Sequence, residues 1–279
     1  MHQDALIDGI AADDSWLNER AFQFGDGLFE TIAIVDGVPC LWDAHMARLS
    51  DGCRRLQLPI PDQYLLHDES LRLAAGRARA VLKIFWTAGR SERGYRRPSD
   101  VQPRRMLRVS QWNHPVRPAF WSVRLCRHRL GENPSLAGIK HLNRLDQVLA
   151  RAEWDDAAFE EGLMLGQDGR VVCGTMCNLF LQAGDRLLTP CVRRAGIAGV
   201  VRGLALQIAS DSGQVLEEDD VAIDAVHAAD AVYLSNSLIG VVRVGRFEDK
   251  VFNLDVVEHP LMTETRRRCH RPAIRGDRC

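Results

Sequence analysis

Ile139-Lys140-His141-Leu142-Asn143-Arg144-Leu145-Asp146-Gln147-Val148-Leu149-Ala150-Arg151 sets a lysine at the end of a short segment, directly before an amphipathic helical pattern. Such neighbours can hold the backbone while the lysine projects into a cleft, which is what a Schiff-base lysine requires. Most lysines are simply solvated, so the stretch gains weight only from its surroundings. His141, next along an extended chain, points to the opposite face and is given no catalytic role. Lys83, in the apolar run Ala80-Val81-Leu82-Lys83-Ile84-Phe85-Trp86, is the rival. An edge position or a buried ion pair explains that residue equally well.

Working outward, the helix beginning at 143 is read to 159. Strands follow at 162–165, 171–173, 178–182 and 186–189, with Asp168-Gly169 and Gly184-Asp185 as turns. A helix over 199–210 and strands at 231–235 and 240–244 complete the second part. Upstream, a strand over 29–35 meets the hairpin signal Asp36-Gly37 and returns over 38–41. A helix over 42–58 carries Met46, Leu49, Cys53 and Leu56 at helical spacing and stops before Pro59. A second helix is expected over 64–79, then strands at 80–86 and 104–110.

The proline-containing stretch 113–118 is the best boundary, dividing 1–113 from 119–262. Residues 263–279 form a basic tail without periodicity, expected to be solvated or disordered. Strands often follow one another directly, so the pattern is not a doubly wound nucleotide fold. It predicts an α/β (α+β) chain of two mixed α/β domains in series.

Composition narrows the function. The 279 residues carry a formal net charge of −1, so no global field recruits nucleic acid or an acidic membrane. No apolar run is long enough to span a bilayer, and the first residues, Met1 to Asp8, do not read as a signal peptide. The eight scattered cysteines read as reduced thiols of a cytoplasmic protein. Cys173 and Cys177 lack the histidine or second cysteine pair that zinc needs, so no metal is expected. No Gly-x-Ser-x-Gly elbow or P-loop supports a hydrolase or a phosphotransferase.

Three further stretches carry chemistry. Arg20-Ala21-Phe22-Gln23-Phe24-Gly25-Asp26-Gly27-Leu28-Phe29-Glu30-Thr31 places two glycines around an aspartate before a strand. That suggests a bend where backbone comes close to something, or a plain turn. Gly196-Ile197-Ala198-Gly199-Val200-Val201-Arg202 opens a helix. Free N–H groups and the positive end of the dipole make such a start either a phosphate site or an ordinary cap. Arg90-Ser91-Glu92-Arg93-Gly94-Tyr95 is a cationic turn.

Together these motifs, in this order from about Arg20 to Val244, resemble the fold-type IV pyridoxal-phosphate enzymes. The Lys140–Arg151 run is similar to that of the 4-amino-4-deoxychorismate lyases among them. The resemblance implies two α/β domains with pyridoxal 5'-phosphate in the crevice between them, and a homodimer. It implies Lys140 as the catalytic lysine and cofactor anchor. Arg48, in His45-Met46-Ala47-Arg48-Leu49, would bind the cofactor phosphate together with Ile197, Ala198 and Gly199. Asn178, Asn236 and Ser237 would make further contacts to the cofactor, and Phe29, Arg93 and Tyr95 would meet the substrate. The implied reaction converts aminodeoxychorismate to 4-aminobenzoate and pyruvate, a step towards folate.

One position departs from the family. Cys173 stands where the resemblance expects a glutamate paired with the protonated pyridine nitrogen. A carboxylate there keeps the ring a strong electron sink; a neutral thiol does so poorly, and a thiolate could still partner a pyridinium. A lyase that gains an aromatic product tolerates this better than a transaminase. The alternatives are a D-amino-acid or branched-chain transaminase of the same fold, or a non-catalytic cofactor-binding relative.

Overall fold

The computed structural model describes residues 6–7, 10–11, 17–91, 93–112, 119–155 and 157–271. The chain enters through a short ladder, β1 (Leu6–Ile7) against β2 (Ile10–Ala11), and a single-turn helix, α1 (Arg20–Phe24). Glycines then bend it into β3 (Gly27–Val35). Asp36 and Gly37 both take positive φ, 49° and 76°, the pair of left-handed residues that a tight hairpin needs. The chain returns as β4 (Val38–Pro39), followed by helices α2 (Trp42–Arg55) and α3 (Gln63–Ala74). Strands β5 (Arg79–Thr87) and β6 (Arg104–Gln111) close a four-stranded antiparallel sheet in the order β4-β3-β5-β6. Met46, Leu49 and Cys53 of α2 pack on Leu28, Ile32 and Ile34 of β3, so the helical spacing read from the sequence is the face that builds this core. The second helix ends at Ala74, short of the predicted 79, because Gly76 turns at φ 73° and Arg79 is already paired with Val35.

The second sheet begins with β7 (Phe120–Leu130), and α4 (Leu145–Arg151) follows it. Strands β8 (Glu161–Gly166), β9 (Val171–Gly174), β10 (Asn178–Ala183) and β11 (Arg186–Pro190) form successive hairpins. Helix α5 (Val200–Ser212), β12 (Leu216–Asp219) and α6 (Ile223–Ala228) come next. Strands β13 (Ala231–Asn236), β14 (Gly240–Phe247) and β15 (Lys250–Val251) and helix α7 (Pro260–Arg268) complete the described chain. The order is β12-β11-β10-β13-β14-β7-β8-β9, with β15 beside β14. The sheet curls until its ends touch: the Val171 N–H donates to the Val221 carbonyl, just past β12, at 2.8 Å. Trp121, Leu163, Leu179, Leu234 and Phe247 fill one core, and α5 and α7 cover Phe180 and Tyr233 on the opposite face.

Two expectations need correction. The helix from 143 stops at Arg151, not 159. The Glu153 carboxylate accepts the backbone N–H groups of Arg127 and His128 at 2.8 and 2.7 Å, and Trp154 is buried with Cys126 and Met164. These anchors on β7 outweigh continued helix. The basic tail is not disordered through 271: α7 buries Leu261, Met262 and Thr265 and packs on α5. Pro260 takes the first helical position, and the His259 side chain accepts the Leu261 N–H. The arginines that suggested solvation point outward, Arg266 to Glu258 at 2.5 Å and Arg267 and Arg268 to Glu264. Residues 272–279 and the proposed boundary 113–118 lie outside the described residues.

Candidate active site

Lys140 has a backbone seat shared by both sheets. Its carbonyl accepts the Phe29 N–H at 3.1 Å, and the Leu142 N–H donates to Gly27 at 3.0 Å, so residues 140–142 run antiparallel to the start of β3. On the other side the Gly138 N–H donates to Gly196, and the Ala198 N–H returns to Gly138, both at 3.0 Å. The bend at Gly25-Asp26-Gly27 exists for this seat. A Cβ on Gly25, where φ is 65°, would fall 2.4 Å from Oδ1 of Asn143; one on Gly27 would fall 2.8 Å from the Trp86 carbonyl oxygen. Asp26 fixes the bend through Arg20 and Arg97, at 2.8 and 2.9 Å. Burial opposes its charge, but those arginine hydrogen bonds hold its carboxyl below the usual range.

The lysine side chain enters a cavity of about 650 Å³ between the sheets. Its Nζ lies 4.3 Å from the centroid of the Phe29 ring. Burial, reinforced by the charge of Arg48, pushes Lys140 down to about 7, so much of it is neutral near neutral pH. Lys83 lies 5.2 Å from the centroid of the same ring and does not line the cavity. His141 faces a separate surface hollow, as its place in the extended segment predicts.

One end of the cavity has the donors that an anion requires. Gly199 is the N-cap of α5, which has no side-chain cap, so the first N–H groups of the helix keep the orphan character of a helix start. Asn178 holds this turn by donating to the Ile197 carbonyl at 3.0 Å, and its Oδ1 fills the space where a Cβ on Gly199 would sit. Arg48 stands beside it, donating through Nη1 to the Ala198 carbonyl at 3.1 Å. Its Nε donates to Glu30 at 2.9 Å and its Nη2 pairs with the same carboxylate. Glu30 also accepts from Nδ1 of His45 at 2.6 Å. Burial works against the Glu30 charge, yet Arg48 and His45 outweigh it and bring its carboxyl down to about 2.

The remaining wall holds Cys173, Arg144, Gln147 and the strand end Ser235-Asn236-Ser237. The Ser237 hydroxyl donates to the Thr31 carbonyl at 2.6 Å, tying the two sheets together across the cleft. Asn236 spends its side-chain oxygen on the Leu238 and Ile239 N–H groups, so it shapes the turn.

The predicted residues Phe29, Arg48, Lys140, Cys173, Asn178, Ile197, Gly199, Asn236 and Ser237 thus meet around one cavity. Ala198 contributes by its backbone, with its N–H and carbonyl already used by Gly138 and Arg48. Arg93 and Tyr95 are elsewhere. They lie on an exposed loop held by Arg20, with Tyr95 86% exposed, and line no part of this cavity. Sequence reasoning missed Glu30 and His45, which hold Arg48; Ser235, in the polar stretch Ser235-Asn236-Ser237 read from the sequence, has a buried hydroxyl on the cavity wall with no partner among the described residues. The signal for Glu30 was there: an ionised residue in the inward register Leu28, Glu30, Ile32 must have a partner.

Comparison with known proteins gives the same picture. The amino-transferase class IV family matches residues 27–247. The chain is 34% identical over 243 residues to aminodeoxychorismate lyase of Vibrio harveyi, covering 85% of this chain and 89% of that protein. The crystal structure of 4-amino-4-deoxychorismate lyase from Pseudomonas aeruginosa matches with a TM-score of 0.82 at 41% identity, over 93% of this chain and 96% of that one. D-alanine aminotransferase of Bacillus licheniformis is more distant, 23% identical over 234 residues, or 82% of this chain and 81% of that protein. A match spanning most of both sheets, with relatives this similar over nearly their whole length, makes the chain a member of the amino-transferase class IV family.

Proposed function

We propose that this enzyme is an aminodeoxychorismate lyase, converting 4-amino-4-deoxychorismate to 4-aminobenzoate and pyruvate. The observation that carries the reading is Lys140: a buried amine, down to about 7, beside an anion cradle in a cleft between two sheets. The donor set fits pyridoxal phosphate. Arg48 and the start of α5 suit its phosphate, and a largely neutral Lys140 suits its aldehyde. Bound there, pyridoxal phosphate supplies an electron sink for the amino-bearing carbon of the substrate.

The chain's own residues do the rest. Arg48, locked by Glu30 and His45, holds the phosphate without having to be reorganised. Phe29 walls the amine of Lys140 and keeps water from it. Lys140 takes the proton from the amino-bearing ring carbon and delivers it to the methylene carbon of the departing enolpyruvyl group. The proton the ring loses is the one pyruvate gains, so no co-reactant is needed. The reading includes a homodimer and a cytoplasmic setting. The exposed Phe22 and Tyr95 and the seven described cysteines, none of them in a disulfide, support these two points. No helix among the described residues is long and apolar enough to cross a membrane. Arg93 and Tyr95 then reach substrate only from a second protomer or after their loop moves.

The test is an absorbance spectrum of purified protein, followed by addition of aminodeoxychorismate with coupled detection of pyruvate. We expect a cofactor band and pyruvate release, with Lys140→Ala losing the band and at least ~10³-fold in rate. Transamination of D-alanine faster than pyruvate release would overturn the reading.

A further inference from the structure

We propose that Cys173 and Arg144 present hydrogen-bond donors and no carboxylate to the ring nitrogen of pyridoxal phosphate in this cavity, so that this nitrogen is held as a neutral acceptor. The inference rests on the proposed function and concerns how that site is tuned. With the phosphate at α5 and the aldehyde carbon at Lys140, the ring nitrogen lies across the ring from the lysine. The lining residues that form neither anchor include Cys173, Arg144 and Gln147, besides the strand end Ser235-Asn236-Ser237.

Cys173 is 6% exposed on β9. Burial first, and then the negative charge of Glu161, push its thiol up to about 12; Arg144 pulls the other way without reversing this. The thiol therefore stays protonated and can offer S–H, not a thiolate. Arg144 is a donor by its chemistry, since a guanidinium has no acceptor. Its Nη2 stands 2.6 Å from Nε2 of His141, which must then be an unprotonated acceptor, in keeping with burial pushing that imidazole down to about 4. Its Nε is buried with no acceptor among the described residues.

The buried carboxylate beside this strand does not replace the missing glutamate. Glu161 accepts the N–H groups of Gly162, Thr175 and Met176 at 2.9, 3.0 and 3.0 Å, and the Thr175 hydroxyl as well. It sits behind Gly174, where a Cβ would lie 2.9 Å from its Cδ, and it does not line the cavity. Glu30 is committed to Arg48 at the other end. A pyridinium would thus face a protonated thiol, a guanidinium and the neutral amide of Gln147, whose buried Oε1 has no partner among the described residues; no carboxylate balances its charge, and Arg144 is a like charge nearby. An unprotonated nitrogen accepts from the thiol and the guanidinium.

The experiment loads the enzyme with pyridoxal phosphate labelled with nitrogen-15 in the ring and records the nitrogen resonance from pH 6 to 9. Wild type is expected to show the neutral pyridine position throughout, as is Cys173→Ser, which keeps a donor. Cys173→Glu is expected to move the resonance far upfield, to the pyridinium position. A pyridinium signal in wild type overturns the inference, whether or not the variants fold; a Cys173→Glu signal that stays neutral overturns the role given to Cys173. Pyruvate release alongside a wild-type pyridinium signal would sink this inference and leave the lyase reading standing. Failure to retain the label would overturn both.

Discussion

At the scale of single residues, two buried titratable groups line or brace the proposed site, and each leaves a mark on stability. Lys140 folds with its amine near 7, against 10.5 in an unfolded chain. Between those values the unfolded state binds the extra proton, so this residue makes the cofactor-free protein more stable as pH rises from about 7 to 10.5. Below 7 the full burial penalty remains, on the order of a few kcal/mol. Lys140→Met should therefore melt above wild type at pH 6, with the gap closing towards pH 10; a constant gap would deny the lowered amine. Glu30 works in the opposite sense. Its carboxyl is near 2 when folded and 4.5 unfolded, so its contribution is present above 4.5 and lost as pH falls through that range to 2. Glu30→Gln leaves Arg48 and His45 facing a neutral amide and should cost roughly 3–5 kcal/mol in denaturant titrations at pH 7. It should also weaken cofactor retention. Lys140 was legible because its setting is local: a short segment, then a helix. The contact of Arg144 with His141 was not, because it depends on how the chain turns between them.

At the scale of elements, the glycine bend before β3 and the lysine segment are one construction. Gly25 needs both its left-handed φ and its bare Cα, since Asn143 occupies the place of a side chain. Gly25→Ala should cost about 1–3 kcal/mol and, by tilting residues 140–142, reduce pyruvate release more than that loss of stability explains. Comparing kcat at a temperature where the variant is fully folded tests this, and an unchanged kcat would refute it. Close backbone approach was foreseen at this bend, while its partner was not, because no local pattern links residue 25 to residue 143. Hairpins were read well since Asp36-Gly37, Asp168-Gly169 and Gly184-Asp185 declare themselves through residues that tolerate positive φ. Helix α7 was misread for a compositional reason: three consecutive arginines masked Leu261, Met262 and Thr265, whose spacing is that of a buried face. The over-long helix at 143 failed because Glu153 and Trp154 are claimed by β7, and periodicity carries no trace of such anchors.

At the scale of the molecule, two sheets that are separate in sequence share one wall. Ser237 reaches Thr31, Arg48 reaches Ala198, and residues 138–142 are bonded to both sides. Amide hydrogen exchange should accordingly show β3 and β13 opening with the same free energy, and a clear difference between them would mean that the sheets unfold separately. The seat of the lysine has one more consequence, for the order of events in folding. Its partners Phe29 and Gly196 lie far apart along the chain, so these contacts close only after each sheet has formed and the two have met, late on any pathway that must first spend loop entropy. A half-folded chain has no cradle to offer. Bound as proposed, pyridoxal phosphate would act as a latch on the finished protein, slowing its unfolding, and not as a template that speeds its folding.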